Sequence, residues 1–129
     1  MKVVQDFPPN IEAIRKVLTP APTAIFAYGD TIYNPGGGTL SAELHAHEEV
    51  HQRQQGDDPD GWWEKFLTDG EFRLAQELEA HRKEYQHFCA RVKDRNTRSK
   101  FLHMVATRLA SPMYGNIISF REATRKIAG

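Results

Sequence analysis

The stretch HAHEEVHQRQ, residues 45–54, contains His47-Glu48-Glu49-Val50-His51, which has the form H-E-x-x-H. Residues four apart on an α-helix lie on one face, so His47 and His51 can direct two imidazoles at one point. Glu48 lies about 100° round the helix from His47, and its carboxylate can reach beside that point. This pattern is typical of a hydrolytic zinc site, in which the glutamate takes a proton from water.

The alternative interpretation of this stretch is a solvated helix face without a metal. Either way a helix is expected, because Ser41 can cap it, Glu43 lies in its first turn, and polar residues continue to about Gln55. A catalytic zinc site needs more than this helix, since zinc usually takes three protein ligands and a water.

Two schemes supply a third ligand. The extended form H-E-x-x-H-x-x-G-x-x-H would put Gln54 at the glycine position and Asp57 at the last position, but glutamine lacks the conformational freedom of glycine. The second scheme takes a carboxylate from QELEAHRKEYQ, residues 76–86. Glu77 and Glu79 lie about 200° apart on a helix there, and periodicity does not decide between them.

The motif and the later segment Glu77-x-x-Ala80-His81 together resemble the gluzincin-type zincin metallopeptidases, among them the small single-domain proteins of bacteria and phages. The resemblance covers about residues 23–90. It implies that Ala80 is the small residue that lets two helices approach. It also puts His81 where the family usually places an acid that orients a metal-binding histidine, so His81 is a candidate partner of a ligand, substrate contact or alternative ligand.

The resemblance further implies which residues carry the chemistry. Zn²⁺ would be bound by His47, His51 and Glu77, and Glu48 would be the catalytic base. Tyr114, in the segment SPMYGN, is the second catalytic candidate, as a hydrogen-bond donor to an oxyanion. The other interpretation of Tyr114 is a tyrosine packed in a turn.

Four further side chains are candidates for a functional or a structural role. Trp62 could line a substrate cleft or close the core over the motif helix. His103 is expected to be a core histidine on an apolar stripe, whereas His45 points away from the other two histidines of the motif helix. Cys89 is expected to be a small buried residue, and as the one cysteine it excludes an internal disulfide.

Length and composition indicate one soluble domain over residues 1–129. Hydrophobic residues make up 40% and charged residues 26%, and seventeen basic residues balance seventeen acidic ones, which gives no global attraction to nucleic acid or to an anionic membrane. We expect no membrane association, and the start MKVVQDFPPN lacks the apolar run of a signal peptide, which predicts a cytoplasmic protein. Oligomeric state is left open.

The expected fold class is α+β and predominantly helical, a minimal zincin-like domain with a short β-hairpin before the active-site helix. The motif-bearing core spans about residues 23–90, and C-terminal helices in 95–129 pack on it. The predicted elements are a helix after Asn10, strands at Thr23–Tyr28 and Thr31–Tyr33, the motif helix, and helices at about 62–67, 71–93, 97–110 and 119–127. The hairpin could border the substrate cleft or merely cover the core.

The predicted function is a zinc-dependent hydrolase, most simply a peptidase acting on a peptide or protein. One alternative is a zincin-like protein that binds metal without cleaving anything and serves as a structural or interaction module. The other is a metal-free helical protein that binds nucleic acid through the basic residues of segment 91–108. That segment has no interleaved exposed aromatic residues, which favours a solvated surface instead.

Overall fold

The computed structural model describes residues 1–129 and contains six α-helices and one three-stranded sheet. In chain order the elements are β1 (Lys2–Val4), α1 (Ile11–Val17), β2 (Phe26–Tyr28), β3 (Thr31–Tyr33), α2 (Ala42–Gln55), α3 (Pro59–Thr68), α4 (Gly70–Arg91), α5 (Arg95–Leu109) and α6 (Phe120–Ala128), with a 3₁₀ turn at Pro112–Tyr114 before α6. The predicted α+β class with predominant helix is confirmed.

The small sheet has the strand order β1-β3-β2. β2 and β3 form the predicted antiparallel hairpin, with Phe26 opposite Tyr33, and Gly29 in the connecting turn has φ 63°, where a side chain would be strained. The prediction that the first strand of this hairpin begins at Thr23 is wrong. A hydrogen bond of 3.0 Å from the Ala24 N–H to the Ala21 carbonyl closes a turn there, and the strand starts at Phe26.

Strand β1 pairs in parallel with β3 and was not predicted from the sequence. Lys2 and Val3 are both exposed, so the strand has no buried face. A strand without a buried face lacks the apolar and polar alternation by which a strand is recognised in a sequence.

Side-chain caps fix where the longer helices begin. Ser41 accepts a hydrogen bond of 3.1 Å from the Leu44 N–H at the start of α2, as predicted. α5 begins at Arg95, two residues earlier than predicted, because Asp94 caps it by accepting from the Thr97 N–H at 2.9 Å. α4 ends at Arg91, two residues earlier than predicted, because the next residue is already extended.

The helices α2 and α4 form the most extensive contact between any two elements. Val50 of α2 is 1% exposed, and Ala80 of α4 is fully buried. Because Ala80 has no side chain beyond Cβ, α4 can approach closely at this point. The close approach of the two helices decides which side chains of α4 meet those of the motif helix.

A buried apolar cluster lies beside this helix pair and joins α1, β2, α3, α5 and α6. Its twelve members are Ile14, Leu18, Phe26, Trp62, Trp63, Phe66, Val105, Ala106, Leu109, Tyr114, Ala123 and Ile127. The C-terminal helices α5 and α6 therefore pack on the rest of the chain. The prediction that His103 is a core histidine is wrong: α5 turns Val105, Ala106 and Leu109 inward, and His103 is exposed. Cys89 is half-buried rather than buried.

We predict that Ala80→Val destabilises the fold and weakens metal binding. The added methyl groups must separate α2 from α4, and overpacking of this kind costs about 1–3 kcal/mol. Unfolding in urea, followed by circular dichroism, measures the change in the free energy of unfolding. Ala75→Val is the matched control, since Ala75 lies exposed on the same helix and shares the cost of a β-branched residue. Equal destabilisation by both substitutions would contradict the argument.

Candidate metal centre

Three buried side chains meet between α2 and α4. His47 and His51 project from successive turns of α2, and Glu77 projects from α4. The Glu77 carboxylate oxygens lie 3.4 Å from His47 Nε2 and 3.1 Å from His51 Nε2. All three candidate ligand atoms lie within 4.8 Å of one another, and each of the three residues is buried.

The donor set fits a metal ion such as zinc. Ligand distances of about 2.0–2.2 Å in a tetrahedral site put neighbouring ligand atoms about 3.3 Å apart, close to the two separations observed here. Glu77 Oε1 is fully buried and accepts no hydrogen bond, which is costly for a carboxylate oxygen without a cation. The cluster can therefore hold a metal ion through two imidazoles and one carboxylate.

The structure also decides between the candidates for the third ligand. Glu77 is 3% exposed and faces the histidines, whereas Glu79 is exposed and accepts a hydrogen bond from Gln54 Nε2 at 2.9 Å. Asp57 is exposed beyond the end of α2 and lies outside the ligand group. The position of α4 against α2 thus distinguishes Glu77 from Glu79 as the candidate third ligand, which helical periodicity alone could not do.

Both histidines are oriented by a hydrogen bond from the opposite side of the ring. His47 Nδ1 lies 2.8 Å from Glu84 Oε1, and His51 Nδ1 lies 2.8 Å from Gln54 Oε1. A carboxylate or an amide oxygen only accepts, so each Nδ1 carries a proton and each Nε2 is directed at Glu77. Partners of this kind fix the ring and raise the basicity of the ligating nitrogen.

Neither orienting residue was identified in the sequence. Glu84 lies seven residues after Glu77, two turns along the same helix face, and this spacing is the signal that could have revealed it. His81 lies where the resemblance puts the orienting acid, but it orients neither of the two histidines. Its Nδ1 donates to the Glu77 backbone carbonyl at 2.7 Å instead, and its ring packs against His47 with the centroids 4.7 Å apart.

Arg108 connects this buried network to α5. Its Nη2 pairs with Glu84, and its Nε donates to His81 Nε2 at 3.3 Å. Burial and the nearby positive charges of His47 and Arg108 keep the pKa of His81 well below its usual value, so His81 is neutral and can accept this bond. His81 is fully buried and lines neither cavity of the site, so it supports the network rather than contacting a substrate.

The carboxylates act strongly on the two ligand histidines. Burial alone would lower the pKa of His47, but the charges of Glu48 and Glu77 and the hydrogen bond to Glu84 outweigh it and raise that pKa to about 10. For His51, burial is likewise outweighed by the charge and hydrogen bond of Glu77, and its pKa is raised. Protons and a metal ion therefore compete for the same two nitrogens.

Glu48 lies beside the ligand cluster without belonging to it. It is 4% exposed, and its Oε2 lies 3.7 Å from His47 Nε2, which is too far for a hydrogen bond. The Glu48 carboxylate makes no hydrogen bond to a protein group. Burial raises the pKa of the Glu48 carboxyl, which the charges of His47 and His51 partly oppose. A carboxylate of raised pKa and without a fixed partner can accept a proton from a water molecule beside it.

Tyr114 and Trp62 both line the cavity that contains Glu48 and the three ligands. Tyr114 is 6% exposed, and burial together with the charge of Glu77 holds its pKa well above the usual value, so the hydroxyl keeps its proton as a donor. Its side chain makes no hydrogen bond to the protein. The Trp62 ring stacks on Phe66 and lies 5.4 Å from the His51 ring, while its Nε1 donates to Gln76 at 2.8 Å.

Two connected spaces surround the site. The inner cavity has a volume of about 20 Å³, enough for about one water molecule, and apolar side chains form most of its wall. A groove of about 220 Å³ adjoins it and shares His47, Glu48 and Tyr114 with it. The groove is the wider approach to the ligand cluster.

The hairpin edge facing the site is only partly free. Gln55 Nε2 donates to the Ala27 carbonyl at 2.8 Å, and Gln55 Oε1 accepts from the Gly29 N–H at 2.8 Å. The backbone groups of Ala27 and Gly29 are therefore already occupied by Gln55, and an extended substrate cannot pair with the hairpin at these two residues. Ile25, just before β2, has no hydrogen bond from its backbone and lines both the cavity and the groove.

Comparison of the chain with protein-family models, with curated proteins and with solved structures finds no match. The resemblance to the gluzincin-type zincins thus remains a prediction that rests on this chain's own residues. None of the six helices combines the length and the apolar character that crossing a membrane requires.

We predict that Glu84→Gln lowers zinc affinity by about 10- to 100-fold, as loss of a charged partner behind a ligating histidine generally does. Equilibrium dialysis or chelator competition measures this affinity. Glu71→Gln is the matched control, because Glu71 lies exposed on the same helix without a side-chain hydrogen bond, and we expect the affinity of this variant to equal that of the wild type. Equal affinities for all three proteins would show that Glu84 does not act on the site.

We also predict that zinc affinity rises steeply with pH. The pKa of His47 is raised to about 10, so its imidazole carries a second proton at neutral pH, and the raised pKa of His51 likewise favours its protonated form; these protons must leave when a metal binds. Each displaced proton changes the apparent dissociation constant about tenfold per pH unit. Chelator competition between about pH 6 and pH 8 tests this, with His45→Gln as a control of unchanged slope. An affinity independent of pH would contradict it.

Proposed function

We propose that this protein is a zinc-dependent peptidase of the gluzincin type. The observation that carries the proposal is that one buried cavity contains a complete set of three ligands and, beside it, the unpaired carboxylate of Glu48. A purely structural metal site is usually closed by four protein ligands, whereas a catalytic one has three and leaves a position for water. Only three ligating side chains meet here.

The residues of the chain have distinct parts in peptide hydrolysis. Zinc, when bound by His47, His51 and Glu77, supplies a Lewis acid that polarises the scissile carbonyl and acidifies water. Glu48 takes a proton from the attacking water, whose oxygen bonds to the carbonyl carbon. Glu48 then delivers that proton to the leaving nitrogen as the C–N bond breaks. The Tyr114 hydroxyl donates a hydrogen bond to the oxyanion that forms in between.

A metal-binding module without catalysis is the second candidate. The observation that favours it is the inner cavity of about 20 Å³, closed on one side by Trp62 and Trp63, into which no peptide fits without movement. The groove beside Glu48 and Tyr114 favours the peptidase, because it offers a substrate carbonyl a route to the ligands. Measurement of peptide hydrolysis distinguishes the peptidase from the metal-binding module.

Nucleic-acid binding through segment 91–108 has less support. Arg91 pairs with Glu43, Arg98 donates to the Cys89 and Val92 carbonyls, and Arg108 pairs with Glu84. Each of these three guanidinium groups already bonds to other groups of the protein. The remaining basic residues are too few to form a continuous stripe along a nucleic-acid backbone.

We predict that zinc-loaded wild-type protein cleaves peptides and that Glu48→Gln abolishes cleavage without loss of zinc. Glutamine keeps the shape of the side chain but cannot take the proton, and loss of a general base costs about 10²–10⁴ in rate. Mass spectrometry measures both quantities, as zinc per chain and as products from a mixture of synthetic peptides. The protein is purified without chelator or polyhistidine tag.

Two control variants complete this experiment. Glu49→Gln changes the exposed neighbour of Glu48, which pairs with His45, and we expect full activity. Glu77→Ala is expected to lose both zinc and cleavage. Near one zinc per chain with no cleavage of any peptide would favour the metal-binding module, and no zinc in the wild type after addition of zinc would overturn both proposals.

A further inference from the structure

The groove that adjoins the metal cluster has one guanidinium group in its wall, that of Arg108. The wall is otherwise mostly apolar, with Ile25, Leu44 and Met113 among its members, and Glu48 is its single acidic residue. A guanidinium in an otherwise apolar groove is a specific recognition element for an anionic group.

Arg108 is held in place by groups that leave part of it free. Its Nε donates to fully buried His81 and its Nη2 pairs with Glu84, so the plane of the guanidinium is fixed. Its Nη1 makes no hydrogen bond and is not among the fully buried atoms that lack a partner. About 25% of the side chain is exposed. A fixed guanidinium with free N–H groups is suited to binding a carboxylate.

Charge sharing within the network leaves Arg108 able to bind an anion. Glu84, its one acidic partner, also accepts a hydrogen bond of 2.8 Å from His47 Nδ1. The single negative charge of Glu84 is thus divided between two cationic or donor partners. The positive charge of Arg108 is correspondingly incompletely neutralised.

The dimensions of the site restrict what can bind. The groove of about 220 Å³ is below the roughly 300–1,000 Å³ of pockets for drug-sized ligands, so it has room for one or two amino-acid residues. The hairpin edge that could extend a longer peptide is occupied at Ala27 and Gly29 by Gln55. A chain end, rather than the middle of a long segment, matches this space.

We propose that Arg108 binds the C-terminal carboxylate of a short peptide, which places a bond within one or two residues of that carboxylate beside Glu48. This inference rests on the proposed peptidase function and deepens it, because it names the substrate class as peptides with a free carboxyl end and small apolar residues. Hydrolysis then adds water across that C–N bond and releases a free amino acid or dipeptide.

Binding to an inactive protein tests the role of Arg108 without reliance on activity. The probes are N-acetyl-alanyl-leucine with a free carboxylate and the same peptide with a C-terminal amide, added to zinc-loaded Glu48→Gln protein. We expect the free acid to bind at least about tenfold more tightly in calorimetry, as one charge-assisted bidentate pair allows. We also expect it, unlike the amide, to shift the Arg108 Nε–H signal in NMR spectra.

Substitutions of arginine then separate Arg108 from other carboxylate ligands. In the Glu48→Gln background, Arg108→Gln is expected to abolish the preference for the free acid, and Arg108→Lys, which keeps the charge beside Glu84, to reduce it. Arg98→Gln is the matched control on the same helix, because Arg98 donates only to backbone carbonyls, and it is expected to keep the preference. If Arg108→Gln does not fold, the inference is tested by the reduced acid preference of Arg108→Lys and by the shift of the Arg108 Nε–H signal on binding of the free acid.

Two results would overturn the inference: equal binding of acid and amide, or an acid preference that persists in Arg108→Gln, which would mean that the zinc itself holds the carboxylate. Hydrolysis by the wild type distinguishes this failure from that of the peptidase proposal. Cleavage of amidated and free peptides at equal rates overturns the inference and keeps the peptidase. Acid-selective binding through Arg108 without any hydrolysis keeps the carboxylate site and removes the peptidase.

Discussion

Burial of ionisable side chains between α2 and α4 is the constraint on which the rest of the site depends. His47, His51, Glu77 and Glu84 are each no more than 5% exposed, and a charge in such a place is costly unless it is paired. The pairs run continuously across the helix interface, from Gln54 through the two histidines and Glu77 to Glu84 and Arg108. The spacing of the two helices is therefore set by hydrogen bonds as well as by apolar contact.

This arrangement makes the candidate metal centre and the fold interdependent. Arg108 belongs to α5, whose inner face packs into the apolar cluster, and through Glu84 it acts on the orientation of His47. Gln54 and Gln55 are consecutive, yet one fixes His51 and the other fixes the hairpin at Ala27. Elements far apart in the sequence thus hold the ligands rigidly, as a preorganised site requires.

The features that could be predicted from the sequence depend on local helical periodicity. The features that could not be predicted depend on how the helices pack against one another in the tertiary structure. The motif helix, its cap at Ser41 and the common face of His47 and His51 depend only on residues near each other in the chain. The choice of Glu77 over Glu79 depends on how α4 is turned against α2. Glu84 and Arg108 form a pair across 24 positions, which no periodic pattern within one helix contains.

The link from Arg108 to Glu84 also sets the order in which the site is completed during synthesis. The chain emerges from the ribosome N-terminus first, so His47, His51 and Glu77 are all present before α5 exists. Until Arg108 arrives, Glu84 lacks its cation and His47 lacks a firmly held partner. The nascent chain thus carries the three candidate ligands well before Glu84 and Arg108 hold His47 in its final orientation, and completion of the candidate metal centre belongs to the last stage of folding.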